Sequence, residues 1–417
     1  MVNNTYNKTI ESAKDYVLES AIITADRSTD LEMDISKVVL QLDIFENIDL
    51  PYLTGNIVIK DESNLLGIID IKGTERLKIR LSIPTSPETI EIKFVIEKIQ
   101  STVRYGDQAE MLVLKLIEEH AFNSAIQKIS KAYTGKPEEI IASILKDALN
   151  IDLDNQSMPS AQGEMRVVIP YMTPLEACQW ILSRMTTEYG APYFLYSPMN
   201  KTSIILNDMQ TILTEASWNY DAISRSGLPF TYNQASAQFV DAADIARQSF
   251  AIQSIKYTNT ENTAVLSKLG AIGANYSWTD VTTGITESIH FNLNDALLRM
   301  QDVILKGNKQ LTLDTEYLLN GVKISDLNSA YSHQILSRNS YPDVYNFYEE
   351  TDIAKYILTA TARAMRKLLM KSNIEISVPG IQFITGTNRS IGTNISILLY
   401  NSDISLLGKN GVTEEDL

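Results

Sequence analysis

The chain has one cysteine, Cys178, in 417 residues. That excludes an internal disulfide and any cysteine-cluster zinc or iron–sulfur site. Histidine is almost as scarce: His120, His290 and His333 are far apart in sequence. No His-Glu-x-x-His or second histidine at ligand spacing accompanies them, so no metal or other cofactor is expected. No apolar run approaches the ~18 residues of a membrane helix, so membrane insertion is not expected. Positive charge is short as well, with 36 Lys and Arg against 51 Asp and Glu, a net charge of −15. Such a chain is a poor coat for DNA or RNA, since phosphates are neutralised by surplus Lys and Arg. The segment Met1–Tyr6 is polar and lacks the apolar stretch of an export signal, so synthesis and assembly in the cytoplasm are expected.

What the chain does have is ordinary globular content, 44% hydrophobic and 21% charged, and length enough for about three domains. Residues 1–36 are polar and mixed, with one short amphipathic stretch at Val17, Leu18, Ala21 and Ile22; they read as an N-terminal arm. From Lys37 the period becomes two. Val38, Leu40, Leu42 and Ile44, then Leu77, Ile79, Leu81 and Ile83, then Ile90, Ile92, Phe94 and Ile96, then Leu112, Leu114 and Leu116 each share a face. Gly55, Gly67, Gly73, Pro84, Pro87 and Gly106 punctuate these runs, and 37–120 reads as a first small antiparallel β-barrel.

Residues 121–248 read as an α-rich, mixed domain. Pro137-Glu138-Glu139 opens a helix whose apolar stripe is Ile140, Ile141, Ile144, Leu145, Ala148 and Leu149. Thr173-Pro174-Leu175-Glu176 is a capping box, and the helix behind it puts Leu175, Cys178, Leu182 and Met185 on one face. Strand patterns return in 249–292 and 371–405, read as two parts of a second β-barrel around a helical insertion at 293–370. Residues 406–417 form a C-terminal tail, acidic over Thr413–Leu417. The expected fold class is therefore α+β: two small antiparallel, tube-like β-barrel domains with α-rich inserted domains. A faint repeat links the barrels, since Gly73-Thr74-Glu75 and Gly392-Thr393-Asn394 each precede a short alternating strand.

Few residues point to chemistry. Cys178 sits on an apolar stripe, the place of a packed core thiol rather than a nucleophile. Gly135-Lys136-Pro137 lacks the upstream glycine and the Ser or Thr of a phosphate loop. Gly270 and Gly273 lack the strand–turn–helix setting of a dinucleotide site. The acidic pairs Glu118–Glu119 and Glu349–Glu350 have the composition of a solvated surface. One stretch departs from the acidic average: Ile353–Lys371 holds Lys355, Arg363, Arg366, Lys367 and Lys371 and no acid. Cations near a helix C-terminus offset its negative dipole end, and the same five are candidates for contact with an acidic neighbouring subunit.

The segments Tyr52-Leu53-Thr54-Gly55-Asn56-Ile57-Val58-Ile59, Leu65-Leu66-Gly67 and Ile71-Lys72-Gly73-Thr74-Glu75-Arg76-Leu77-Lys78-Ile79 resemble the first barrel of the central baseplate hub protein of T-even-like contractile-tail phages. Type VI secretion spike proteins share that module. The resemblance continues through Thr173–Arg184 with Tyr189-Gly190, through Gly270–Gly284, and through Ile374–Ile397, where Val378-Pro379-Gly380, Gly386 and Ile391-Gly392 fit a second barrel. It implies a non-enzymatic homotrimer in the virion tail baseplate. Its two barrels per chain would adapt a three-fold spike to a six-fold tail tube. Its partners would be the spike, the tail tube or tube-initiator proteins and the surrounding baseplate proteins, with DNA passing unbound through an acidic lumen. In this family the second barrel is completed by strands beyond the Gly392–Tyr400 region, whereas only Asn401–Leu417 follow here. A type VI or extracellular injection-system hub is the related alternative. A tail-associated cell-wall hydrolase or glycan-binding protein is the alternative of another class.

Overall fold

Alternating apolar residues build one large sheet. The structure is a computed structural model and describes residues 17–25, 31–61, 68–69, 71–82, 89–105, 109–154, 161, 163–215, 217–221, 226–232, 250–258, 263–280, 284–296, 298, 318–328, 330–336, 353–369, 373–378 and 391–399. The sheet holds β1 (Val17–Ala25), β2 (Leu31–Asp34), β3 (Val39–Phe45), β4 (Thr54–Asp61), β5 (Arg76–Ser82), β6 (Thr89–Tyr105) and β7 (Ala109–Glu118). Its order is β2-β1-β5-β6-β7-β4-β3, and all six pairings are antiparallel. Leu77, Ile79 and Leu81 point inward, while Arg76 and Arg80 point to solvent. The long strand β6 pairs with β5 through its first half and with β7 from Phe94 onward; register shifts at Ile96/Lys98 and Ile99/Ser101 bend it. The sheet thus curls into a half-barrel over Ile57, Ile59, Leu77, Ile79, Phe94 and Leu114. Its end strands β2 and β3 are consecutive in the chain. Ile35 N–H donates to Ala21 O at 2.8 Å, and Lys60 N–H donates to Val38 O at 2.9 Å, so one short connection serves both edges.

Strand β1 departs from the reading of 1–36 as an arm. It pairs with β5 on one side and β2 on the other, with Ala21, Ile23 and Ala25 buried. Alanines at alternate positions give little hydropathic contrast, and Ile22 on the opposite face masks the period. In β4, Gly55 is required by close approach: a Cβ there would lie 2.6 Å from Asp43 O on β3.

The turn into β5 is held by a buried carboxylate. Gly73 has φ +92°, and the Glu75 side chain folds back to accept from Lys72 N–H at 3.0 Å, Gly73 N–H at 3.0 Å and Thr74 N–H at 3.2 Å. Glu75 is 1% exposed. Burial pushes its pKa up, but the converging N–H groups outweigh that and leave it below the ordinary glutamate value.

The middle of the chain packs on the end of this sheet. Helices α1 (Glu119–Ala125), α2 (Pro137–Leu149) and α3 (Pro174–Leu182) enclose a core with the small sheets of β8 (Ala132–Gly135), β9 (Leu153–Asp154), β10 (Met165–Val168), β11 (Tyr193–Tyr196) and β12 (Ile204–Asp208). Ile140, Ile141, Ile144 and Leu145 of α2 are buried as their spacing predicts. The capping box forms: Glu176 N–H donates to Thr173 Oγ1 at 3.4 Å and Thr173 N–H to Glu176 Oε2 at 3.0 Å.

The α+β expectation holds in its coarser form. The fold class is α+β with one large curled antiparallel sheet and few helices, and among the described residues the later strands form small sheets. Ser254–Thr258 pairs antiparallel with Asn373–Ser377, and Phe230–Tyr232 pairs parallel with Ile397–Leu399. Gly273–Asp280 lies between Thr286–Asn292, antiparallel, and Ala330–Leu336, parallel. The stretch 293–370, read as helical, contains that last strand as well as the expected helix, α6 (Ile353–Leu369). A short α5 (Thr263–Lys268), preceded by α4 (Met209–Thr214), completes the helices with assigned bounds. Alternation marks a strand but carries no information about which strand it pairs with. Leu65–Gly67, Pro379–Gly380, Gly386 and the tail 406–417 lie outside the described residues.

Replacing the anionic cap with Glu75→Gln should cost about 1–3 kcal/mol in a urea-unfolding experiment, the scale for hydrogen bonds to a buried charge. Because the folded-state pKa is depressed, the difference should be present above the unfolded glutamate pKa of about 4.3 and vanish as pH falls through the folded value.

Candidate functional site

Among the described residues the reactive residue types lie apart. Cys178 is fully buried in α3, and burial pushes its thiol far above the ordinary range. His290 lies between Asn328 Oδ1 at 2.8 Å and Ser325 O at 3.2 Å. His333 sits in the strand Ala330–Leu336, its side chain outside the described residues. Lys136 is the N-cap of α2 and Pro137 its first residue, so Gly135-Lys136-Pro137 is a helix start. Gly270 has φ +71°, and a Cβ on Gly273 would meet Leu327 O at 2.5 Å; both are packing glycines. Glu118 and Glu119 face different partners, His120 and Arg76. Glu349–Glu350 lies outside the described residues. Among the described residues no three His, Cys, Asp or Glu side chains gather as a metal site would require.

A joint of polar groups binds the curled sheet to the middle of the chain. His120 Nε2 donates to Pro51 O at 2.7 Å, and its Nδ1 lies 3.4 Å from Glu118 Oε1. The other Glu118 oxygen accepts from Leu53 N–H at 2.7 Å and Ser197 Oγ at 3.2 Å. Burial opposes a charge on His120, but the Glu118 carboxylate outweighs it and the imidazole pKa rises.

The basic helix α6 is the most distinctive surface element. Its Ala360, Thr361, Ala364 and Met365 are buried, and small residues let it lie close: a Cβ on Gly190 would be 3.0 Å from Thr361 Cβ. Its five predicted cations have different fates. Arg366 is an internal anchor. Its guanidinium donates to Tyr193 O, stands 4.8 Å from the Phe194 ring centroid and lies 3.7 Å from Asp49 Oδ1. It therefore ties α6 to β11 and to the loop between β3 and β4. Sequence reading grouped Arg366 with its neighbours because Tyr193 lies 173 residues away and leaves no local signal. Arg363 is exposed and Lys367 half-buried. The Lys355 side chain and all of Lys371 lie outside the described residues.

Between the end of α3, α6 and the sheet of Gly273–Asp280 lies a groove of about 500 Å³. Buried Ala271, Ala274, Ala360 and Ala364 line its interior, and exposed Arg363 and Tyr331 stand at its solvent side. Among the described residues it combines an apolar interior with cationic walls and no carboxylate lining. Such a groove has the shape and composition of a binding surface.

No family model matches the chain, and no curated protein matches it. Among solved structures, the chain is similar to the 43 kDa tail protein of prophage MuSo2 from Shewanella oneidensis: TM-score 0.46, 11% identity, 94% of this chain and 90% of that one. It is similar to the tail protein from Neisseria meningitidis MC58, with TM-score 0.46 and 9% identity over 93% of this chain and 87% of that one. It is also similar to the E. coli c3393 protein, a type VI secretion component with structural similarity to T4 bacteriophage tail proteins. That match has TM-score 0.34 and 12% identity, and covers 61% of this chain and 58% of the other. The structural neighbours are thus phage tail proteins and a type VI secretion protein related to them.

Two measurements check the site. Arg366→Met should lower unfolding stability by about 1–3 kcal/mol through its lost hydrogen bond and ring contact, whereas Arg363→Met, three residues away on the exposed face, should change it by less than about 0.5 kcal/mol. For His120→Gln, melting temperatures should show the reverse pH dependence to Glu75. The raised histidine pKa adds stability below the unfolded value of about 6.5, and that gain is lost as pH rises through the folded value. The gap between wild type and variant should therefore be wider at about pH 6 than at about pH 9.

Proposed function

We propose that this chain is a non-enzymatic building block of a phage tail baseplate: the central hub of a contractile tail, a homotrimer adapting a three-fold spike to a six-fold tube. The observation that carries the reading is where the resemblance falls. Tyr52–Ile59 and Ile71–Ile79 are the residues that make β4, the Glu75-capped turn and β5, the strands that flank the central β6–β7 pair of the large sheet.

Two further observations support a second, related module. Ser254–Thr258 and Asn373–Ser377 pair across the long intervening segment, as expected if 249–292 and 371–405 are halves of one β unit split by an insertion. Gly392 has φ +80° ahead of the strand Ile397–Leu399, and Gly73 has φ +92° ahead of β5, so the faint Gly-Thr repeat has a backbone counterpart. Two such modules in each of three chains would present six similar units in a ring, matching three-fold to quasi-six-fold symmetry. A net charge of −15 suits a channel that does not hold DNA.

The test is the mass of the assembly. Sedimentation velocity of the protein, alone and mixed with candidate spike and tube proteins, should show a trimer of about 140 kDa, three times 46.7 kDa, alone or within the complex. A chain that stays monomeric under every combination, or that clears bacterial cell walls in a muralytic assay, would overturn the proposal.

A further inference from the structure

We propose that a bulge at Tyr171 is an anchor for self-association, seated in a second copy of this chain on the apolar face of the ribbon formed by Ser254–Thr258 and Asn373–Ser377. A shift of register creates the anchor. Ala132 pairs with Val168, but Ile129 pairs with Met172, so the chain leaving β10 holds one extra residue. Bulges re-aim a side chain, and a left-handed residue in one is ordinarily glycine. Here it is Tyr171, at φ +44°. The other non-glycine residues of positive φ among the described residues are Asn150 and Asn320, of the type that tolerates that region. A bulky residue there is strained, and such strain concentrates at functional positions. The bulge presents the ring to solvent. Tyr171 is 70% exposed, and Lys128 Nζ lies 5.8 Å from its ring centroid. Ile126 and Val168 are also exposed, at 69% and 64%. All three lie along one seam, because Leu175 N–H donates to Ser124 Oγ at 3.0 Å and Ile169 N–H donates to Lys131 O at 3.0 Å. An outward tyrosine between aliphatic neighbours has the make-up of an interface hot spot.

The receiving surface is the ribbon. Ile255 pairs with Ile376 and Tyr257 with Ile374, so these four apolar side chains share one face. Lys256 and Glu375 occupy the other face, 3.5 Å apart. Tyr257 and Ile374 are exposed, and a two-stranded ribbon is marginal in water by itself. One chain thus leaves two apolar faces open, each with a tyrosine, and covers neither with the other. A contact of the Tyr171 face with itself would bring two Lys128 side chains together, and like charges oppose association. The apolar face of the ribbon carries no charge, so it receives Tyr171 without that repulsion. A contact between unlike surfaces of successive copies closes into a ring, whereas a like-on-like contact stops at two. These surfaces would join the copies of the proposed trimer, and the inference rests on that reading.

Sedimentation velocity of the full chain at about 100 µM, where weak self-association is populated, tests this. Wild type should form trimers. Tyr171→Gly should weaken them about thirty-fold or more, the loss of one hot spot, and leave the urea midpoint unchanged or higher because glycine accepts the left-handed backbone. A tyrosine that only supported the fold would lower the midpoint and leave association unchanged. Ile374→Lys should weaken association at least about ten-fold more than Ile374→Glu, because lysine alone meets Lys128 with like charge. A chain carrying both Val168→Cys and Ile374→Cys, treated with a short bismaleimide, should give covalent trimers. Either cysteine alone should give monomers, since the native Cys178 is fully buried. A chain monomeric at this concentration, trimers indifferent to Tyr171→Gly, equal effects of the two Ile374 variants, or linkage through one cysteine alone would each overturn the inference. The hub reading fails separately, when no trimer forms even with spike and tube proteins.

Discussion

Removal of the inner face of the curled sheet from water is the constraint on which the rest of the molecule depends. Ile57, Leu77, Ile79, Phe94, Ile96, Leu114 and Leu116 are buried to within 0–1% exposure, and each such side chain contributes about 1.5–3 kcal/mol relative to solvent. A seven-stranded sheet cannot bury one face against itself while flat. The bulges of β6 and the return of the chain from β2 to β3 impose the curl that lets opposite strands meet. Glu75 holds the chain where it enters that curl, its carboxylate satisfied by backbone N–H groups in place of water.

The sheet passes its rigidity to the remainder of the chain through polar joints at one end. Glu118 and His120 clamp Pro51, Leu53 and Ser197. Gln179 Nε2 in α3 donates to Asp49 O at 3.1 Å, and Met199 N–H donates to Glu46 Oε1 at 2.6 Å. Arg366 reaches from α6 to Asp49 and β11. The Gln179, Met199 and Arg366 contacts join residues more than a hundred positions apart and fix the helices relative to the sheet. Reactive side chains are spent on structure: Cys178 is buried in the helical core, and His120 bridges Pro51 O and Glu118.

Much of this was readable where the cause is local. The strands β3, β5, β7 and the start of β6 show apolar and charged residues alternating within a few positions, and the Thr173–Glu176 box needs four residues in a row. The strand β1 was hidden because Ala21 and Ala25 mark its inner face weakly. The far half of β6 was hidden because Glu97–Arg104 is exposed on both faces and has no inner residues to alternate. Partner choice was not readable in the second half, where strands of two to eight residues belong to several sheets. The groove and the Arg366 anchor were invisible for the same reason: Asp49, Tyr193, Ala274 and Tyr331 acquire meaning beside α6 only after folding.

Whether a repeated β module builds the proposed ring is decided by imaging the assembly. Cryo-electron microscopy of the protein bound to its spike should show three copies, with the curled sheet of residues 17–118 and the unit containing Ser254–Thr258 and Asn373–Ser377 alternating around one axis as six similar wall segments. A ring in which each copy contributes only the curled sheet, or a lone copy on the spike, would contradict it.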